Sequence, residues 1–110
     1  MNNGIHNLFG FIIEREKRRI TKHVEKAQKR GLPASITLAQ WLAIVNQFEY
    51  SCAYCGGAYE SLEHIIPMSW GGGTTADNVV PCCLACNQNH GKVTERIKNT
   101  RAKLGAGVML

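Results

Sequence analysis

The sequence predicts a small α+β fold in which two helices precede a strand–loop–strand–helix unit. Apolar residues recur at helical spacing in the N-terminal half of the chain. Two Cys-x-x-Cys pairs follow, with 27 residues between them, and two short apolar runs that end at prolines lie in that interval. At 110 residues the chain is long enough for one domain, with a helical extension over 1–49 and a cysteine-bound core over 50–104.

The composition is that of a globular protein. Hydrophobic residues make up 45% of the chain, and the apolar run near the N-terminus is too short for a signal peptide or a membrane span. We therefore expect a cytoplasmic protein with no membrane partner. In such a reducing compartment, five cysteines bind metal or pack more often than they form disulfides.

The positive charge is concentrated at the two sides of an acidic centre. Residues 14–30 carry a net charge of +5, residues 92–103 carry +4, and residues 31–91 carry −4 with no Lys or Arg. Two interpretations are open: solvated helix faces, or basic arms that hold a polyanion over a site whose carboxylates bind a cation.

The helical extension contains two predicted helices. The first covers residues 9–30, after irregular residues 1–8, and ends at a glycine followed by a proline. The second begins after Thr37, because Thr37 and Gln40 have the spacing of a capping box. Trp41 belongs to the apolar stripe of this helix, so we expect it in the core.

The core contains two predicted strands, a loop and a final helix. "SLEHIIP" at 61–67 and "NVVP" at 78–81 predict short strands, and "MSWGGGTTAD" between them predicts a glycine-rich loop. The final helix is expected over 84–103.

The cysteine spacing predicts a structural zinc site. Cys52 with Cys55 and Cys83 with Cys86 form two chelating pairs, which can close a tetrahedral four-thiolate shell. Such a shell has no open position for chemistry, so we expect the ion to be structural. Cys82 does not fit the spacing of the pairs, and we expect it to pack in the interior.

The segments "CAYCGG", "LEHIIPMSWGGG" and "NVVPCCLACN", together with the distances between them, resemble the HNH endonuclease family, in its four-cysteine ββα-metal branch. The resemblance covers about residues 50–92. It implies a ββα-metal core whose catalytic positions are held here by Glu63, His64, Asn78 and Asn87.

The resemblance implies hydrolysis of DNA phosphodiester bonds. His64 would accept a proton from water, and Glu63 and Asn87 would hold Mg²⁺ or another divalent cation through oxygen ligands. Asn78 would fix the loop and orient His64. Because successive strand residues point to opposite sides, a bend at the strand end is expected to bring Glu63 and His64 to one phosphate.

Two positions differ from the usual family pattern. Many relatives have Asp where this chain has Glu63, and a Lys is frequent where this chain has His90. For His90 three roles are open: a third ligand of the catalytic ion, a phosphate contact, or a solvated side chain. We expect His6 and His23 at the surface.

The basic segments are expected to bind DNA backbone phosphates without reading bases. The residues expected to do so are Arg15, Lys17, Arg18, Arg19, Lys22, Lys92 and Arg96. The alternative function is a non-catalytic zinc-binding module for DNA or RNA. As for protein partners, a second copy of the chain and a separate targeting protein both remain open.

Overall fold

The computed structural model of the chain describes residues 3–88, with side chains from residue 10 to residue 87. The elements in order are α1 (Asn3–Lys29), α2 (Leu38–Gln47), β1 (Ser61–His64), a short 3-10 helix (Met68–Trp70), β2 (Val79–Cys82) and α3 (Leu84–Gln88). Over residues 3–88 the fold is therefore α+β, with three α-helices and one two-stranded antiparallel sheet, in agreement with the predicted fold class. The predicted continuation of the last helix to residue 103 lies outside the described residues.

Helix α1 is longer than the sequence indicates. It begins at Asn3, so the prediction of an irregular segment up to residue 8 is wrong from Asn3 onward. Helical structure runs through Gly10, because one glycine lowers helix stability without stopping the hydrogen-bonded ladder. The helix packs on the rest of the fold through Ile20 and Ala27. No helix among the described residues has the length and apolarity needed to cross a membrane.

Helix α2 begins with the predicted capping box. The Thr37 hydroxyl accepts a hydrogen bond from the Gln40 backbone N–H at 3.1 Å, and the Gln40 side chain accepts one from the Thr37 N–H at 3.0 Å. Trp41, Ile44 and Val45 point into the core, and Trp41 has no exposed surface. The predictions for this helix are confirmed.

Strands β1 and β2 pair in the register Leu62 to Pro81, Glu63 to Val80 and His64 to Val79. Strand β1 ends at His64, three residues before the proline that was expected to close it. After His64 the Ile65 N–H still bonds to the backbone carbonyl of Asn78. The ladder goes no further because the N–H and the carbonyl of Ile66 are both bound by the side-chain amide of Asn78.

The glycine-rich loop between the strands is held against the rest of the fold at two glycines. A Cβ on Gly72 would overlap the carbonyl group of Ile66, and one on Gly73 would lie 2.6 Å from the carbonyl oxygen of Pro33. Only residues without side chains permit these approaches. The loop is thereby fixed between the end of β1 and the segment that joins α1 to α2.

Candidate functional site

The four paired cysteines come together at one end of the sheet. Cys52 and Cys55 lie in the turn after α2, whereas Cys83 and Cys86 lie at the junction of β2 and α3. All four sulfur atoms are within 4.8 Å of one another. Sγ of Cys55 and Sγ of Cys83 are 3.7 Å apart, close to the edge of about 3.8 Å that a tetrahedron of 2.3 Å zinc–sulfur bonds requires.

Backbone N–H groups point at these sulfur atoms. Tyr54 donates to Cys52 Sγ, Gly57 donates to Cys55 Sγ, and Cys86 donates to Cys83 Sγ, each at 3.4 Å. Such bonds stabilise thiolates, which are the form that binds zinc. The predicted four-cysteine cluster is confirmed, and its donor set and spacing fit a structural zinc ion.

Cys82 is outside this cluster. Its side chain is fully buried, and its Sγ lies 3.3 Å from the carbonyl oxygen of Cys83 and 3.8 Å from Oε2 of Glu63. Burial, together with the negative charge of Glu63, raises the pKa of the Cys82 thiol, so the thiol stays protonated. This environment suits a packing residue.

Three of the four residues with expected catalytic roles line one cleft, and Asn78 does not. Glu63 and His64 border it from the end of β1, and Asn87 borders it from α3. The cleft has a volume of about 320 Å³, and His23, Lys26 and Arg30, from α1 and its C-terminal end, form its opposite wall. The structure therefore places a carboxylate, an imidazole and an amide beside two cationic side chains, Lys26 and Arg30, and a second imidazole, that of His23.

His64 is oriented by a residue of the glycine-rich loop. Its Nε2 lies 2.8 Å from Oγ1 of Thr74, which is fully buried. The Thr74 hydroxyl donates its hydrogen to the backbone carbonyl of His23 at 3.3 Å, because that carbonyl can only accept. Thr74 then accepts from His64 Nε2–H, which leaves the lone pair on His64 Nδ1.

Burial keeps His64 neutral. Desolvation, and to a lesser degree the positive charge of Lys26, lowers the pKa of His64 to about 4. A neutral ring with the lone pair on Nδ1 can accept a proton at pH 7.

His23 belongs to the same cleft, and the prediction that it lies on the surface is wrong. Its ring meets the ring of His64 edge-on, with 5.5 Å between the centroids. Burial, followed by the neighbouring His64, lowers its pKa to about 4. Its Nδ1 is buried and has no hydrogen-bond partner among the residues that the structure describes. A histidine in a basic helical segment gives no sequence signal of such a position.

Asn78 holds the ends of the loop together. Its side-chain oxygen accepts from the Ile66 N–H at 2.8 Å, and its amide donates to the carbonyl oxygens of Ile66 at 3.1 Å and Gly73 at 2.8 Å. None of these three bonds involves His64. The direct contact to His64 is made by Thr74, which the sequence did not reveal.

The side chains of Glu63 and Asn87 border the same cleft and carry oxygen atoms that could hold a second metal ion. Glu63 is 6% exposed, and the Asn87 amide nitrogen donates to Ser61 Oγ at 3.3 Å, which fixes the amide beside β1. Within residues 3–88 the four cysteines are the only group of three or more His, Cys, Asp or Glu close enough to hold an ion. One carboxylate and one amide fit a hard cation that keeps most of its water ligands.

Comparison with known proteins gives a match over this part of the chain. Residues 52–100 match the family model described as HNH endonuclease. The predicted resemblance to the HNH endonuclease family is thereby confirmed over residues 52–100. Searches of curated proteins and of solved structures gave no match. The four cysteines, both strands, the glycine-rich loop and the candidate catalytic residues all lie within the matched range.

Outside the matched range, a buried carboxylate joins α1 to α2. Glu16 has no exposed surface and accepts hydrogen bonds from Trp41 Nε1 at 2.8 Å and from Arg19 at 2.8 and 3.0 Å. Arg15 Nε also donates to it, at 3.0 Å. The sequence did not predict a buried Glu, because a Glu in a charged segment usually faces solvent.

Two of the arginines that were expected to bind DNA belong to this network. Arg19 also donates to the carbonyl oxygen of Glu60 at 3.1 Å and lies over the ring of Tyr59. Arg15 and Arg19 both pair with Glu16, which neutralises one of their two positive charges. Of the other basic residues expected to bind DNA, Lys17, Arg18 and Lys22 are exposed on α1, whereas Lys92 and Arg96 lie outside the described residues, as does His90.

Proposed function

We propose that the protein is a metal-dependent endonuclease that hydrolyses DNA phosphodiester bonds in the cleft of Glu63, His64 and Asn87. The observation that carries this proposal is the meeting of these three side chains at one cleft, opposite basic residues of α1. The family match supports a nuclease or nucleic-acid-binding function for residues 52–100.

His64 acts as the general base in this proposal. A water molecule beside the scissile phosphate gives its proton to Nδ1 of His64, while Nε2–H stays bound to Thr74. The ring needs no prior deprotonation near pH 7, because its pKa lies well below that value.

Glu63 and Asn87 hold a divalent cation next to the phosphate. When bound, Mg²⁺ or a similar hard cation neutralises the charge that develops on the phosphate and on the leaving oxygen. Asn78 keeps the loop, and with it Thr74, in the position that orients His64.

The experiment is cleavage of supercoiled plasmid by purified protein with Mg²⁺, Mn²⁺, Ni²⁺ or Zn²⁺, with His64→Ala in parallel. We expect the substitution to lower the rate by roughly 100- to 10,000-fold, the contribution of a positioned base. Zinc content and DNA affinity should stay at the wild-type level. A wild-type protein that binds DNA but cuts with none of the ions would instead be the non-catalytic zinc-binding module.

A further inference from the structure

The catalytic cleft continues into a second cleft. The neighbouring cleft, of about 330 Å³, lies between α1 and the start of β1, and it shares His23 and Leu62 with the first. The two together form one groove, named here the α1–β1 groove. It begins at Arg15 and Arg18 and reaches Glu63 and His64.

The α1 wall of this groove carries positive charge at a regular spacing. Arg18, Lys22, Lys26 and Arg30 follow one another every four residues, so each step along the helix is about 6 Å and the row is about 18 Å long. Within residues 10–87 none of the four forms an ion pair. Arg15 and Arg19, which also border the groove, are instead bound to Glu16.

The β1 wall of the groove, opposite α1, carries negative charge. The carboxylates of Glu60 and Glu63 belong to the β1 side of the groove, so a strand of negative charge is attracted to the α1 side. Lys26 and Arg30 line the same cleft as His64, which puts this end of the row of cations beside the proposed base.

We propose that the backbone of the scissile DNA strand lies along the α1–β1 groove, with its phosphates bound by Arg18, Lys22, Lys26 and Arg30. The Lys26–Arg30 end is next to the scissile phosphate. A row of about 18 Å corresponds to roughly five base-pair steps of duplex, at 3.4 Å per charge on each strand. The inference rests on the proposed nuclease function, and it excludes Lys17, which borders neither cleft of the groove.

Two pairs of substitutions on the same helical segment test this inference. Lys26→Gln with Arg30→Gln removes two charges from the groove, and Lys17→Gln with Lys29→Gln removes two charges from α1 outside it. Both pairs are made in the His64→Ala background, so that binding to a short duplex can be followed by fluorescence anisotropy over a range of salt concentration. Zinc content and the melting temperature serve as checks of folding.

Log affinity falls with log salt by about 0.9 per neutralised phosphate. We therefore expect the groove pair to reduce the slope by about 1.8 and the outside pair to leave it nearly unchanged. Equal reductions by both pairs, or no change with the groove pair, would overturn the inference. Cleavage has no part in this measurement, so a wild-type protein that fails to cut plasmid would refute the nuclease proposal and leave this result interpretable.

Discussion

Replacement of Thr74 by valine removes one hydroxyl group from the point where α1, the glycine-rich loop and His64 meet. The hydroxyl accepts from His64 Nε2 at 2.8 Å and donates to the His23 carbonyl at 3.3 Å, in a position without solvent access. The backbone bonds of Thr74, from its N–H to Pro33 and from Ile36 to its carbonyl, do not depend on the side chain. The change is therefore confined to the hydrogen bonds of the hydroxyl.

The size of the expected effect follows from the Nε2–H group of His64, a buried donor that loses its acceptor. A buried polar group without its partner costs about 1–3 kcal/mol. His64 can avoid that cost by moving its hydrogen to Nδ1, but the lone pair then faces the introduced valine side chain and no longer faces the cleft. If the Nδ1–H tautomer becomes more stable than the Nε2–H tautomer by about 1–3 kcal/mol, the fraction of molecules whose His64 can accept a proton from the cleft falls by roughly 5- to 150-fold. We expect a fall of that size in the rate of plasmid cleavage.

The assay combines cleavage rate with the tautomer of His64, read from the chemical shifts of its ring atoms. Thr74→Ser keeps a hydroxyl and should restore both the rate and the Nε2–H tautomer. Thr75→Val is the matched control, because the Thr75 hydroxyl bonds to Asp77. If Thr74→Val cleaves at the wild-type rate, or Thr74→Ser folds normally and still fails to restore the rate, Thr74 does not position His64.

Two further predictions concern the metal sites and the buried carboxylate. Cys86→Ser should lose zinc and unfold, because a structural zinc site contributes on the order of 10–16 kcal/mol in small peptides. Asn87→Ala should keep one zinc per chain and bind DNA, but it should cleave DNA poorly. Metal analysis and melting curves separate the two, and loss of zinc from Asn87→Ala would contradict the division into two metal sites. Glu16→Ala leaves Trp41 Nε1–H without its acceptor and should lower the free energy of unfolding by about 1–3 kcal/mol or more. Glu14→Ala breaks only the exposed ion pair with Lys17 and should change the free energy of unfolding by less than about 1 kcal/mol. If Glu14→Ala and Glu16→Ala lower it equally, the proposed role of Glu16 is refuted.

The features that the sequence predicted depend on residues close together in the chain. The capping box of Thr37 and Gln40 spans three positions, and each Cys-x-x-Cys pair is a local chelate. The short strands follow from apolar runs with prolines nearby. These local patterns can be read from the sequence because the residues that form them are close in the chain, and therefore close in space, whatever the rest of the fold is.

The features that the sequence did not reveal depend on contacts between distant segments. Glu16 is buried because it meets Trp41 of α2, 25 residues away. Thr74 reaches His64 across ten residues and His23 across 51. Glu and Thr usually face solvent, and only the packing of α1 against α2 and the loop puts these two side chains inside.

The contacts of α1 and α2 with the sheet and the loop indicate how much of the chain is required for the proposed catalytic site to fold. The HNH match begins at Cys52, yet a two-stranded sheet is marginal by itself and requires packing partners. Those partners come from the extension: Ile20 of α1, together with Trp41, Ile44 and Val45 of α2, shares one buried cluster with Leu62, Val79 and Val80 of the sheet. Helix α1 also supplies the carbonyl that binds Thr74 and the basic wall of the cleft. We therefore infer that the extension is part of the folding unit and of the catalytic centre, and that residues 52–100 alone would retain the cysteine ligands without an oriented His64.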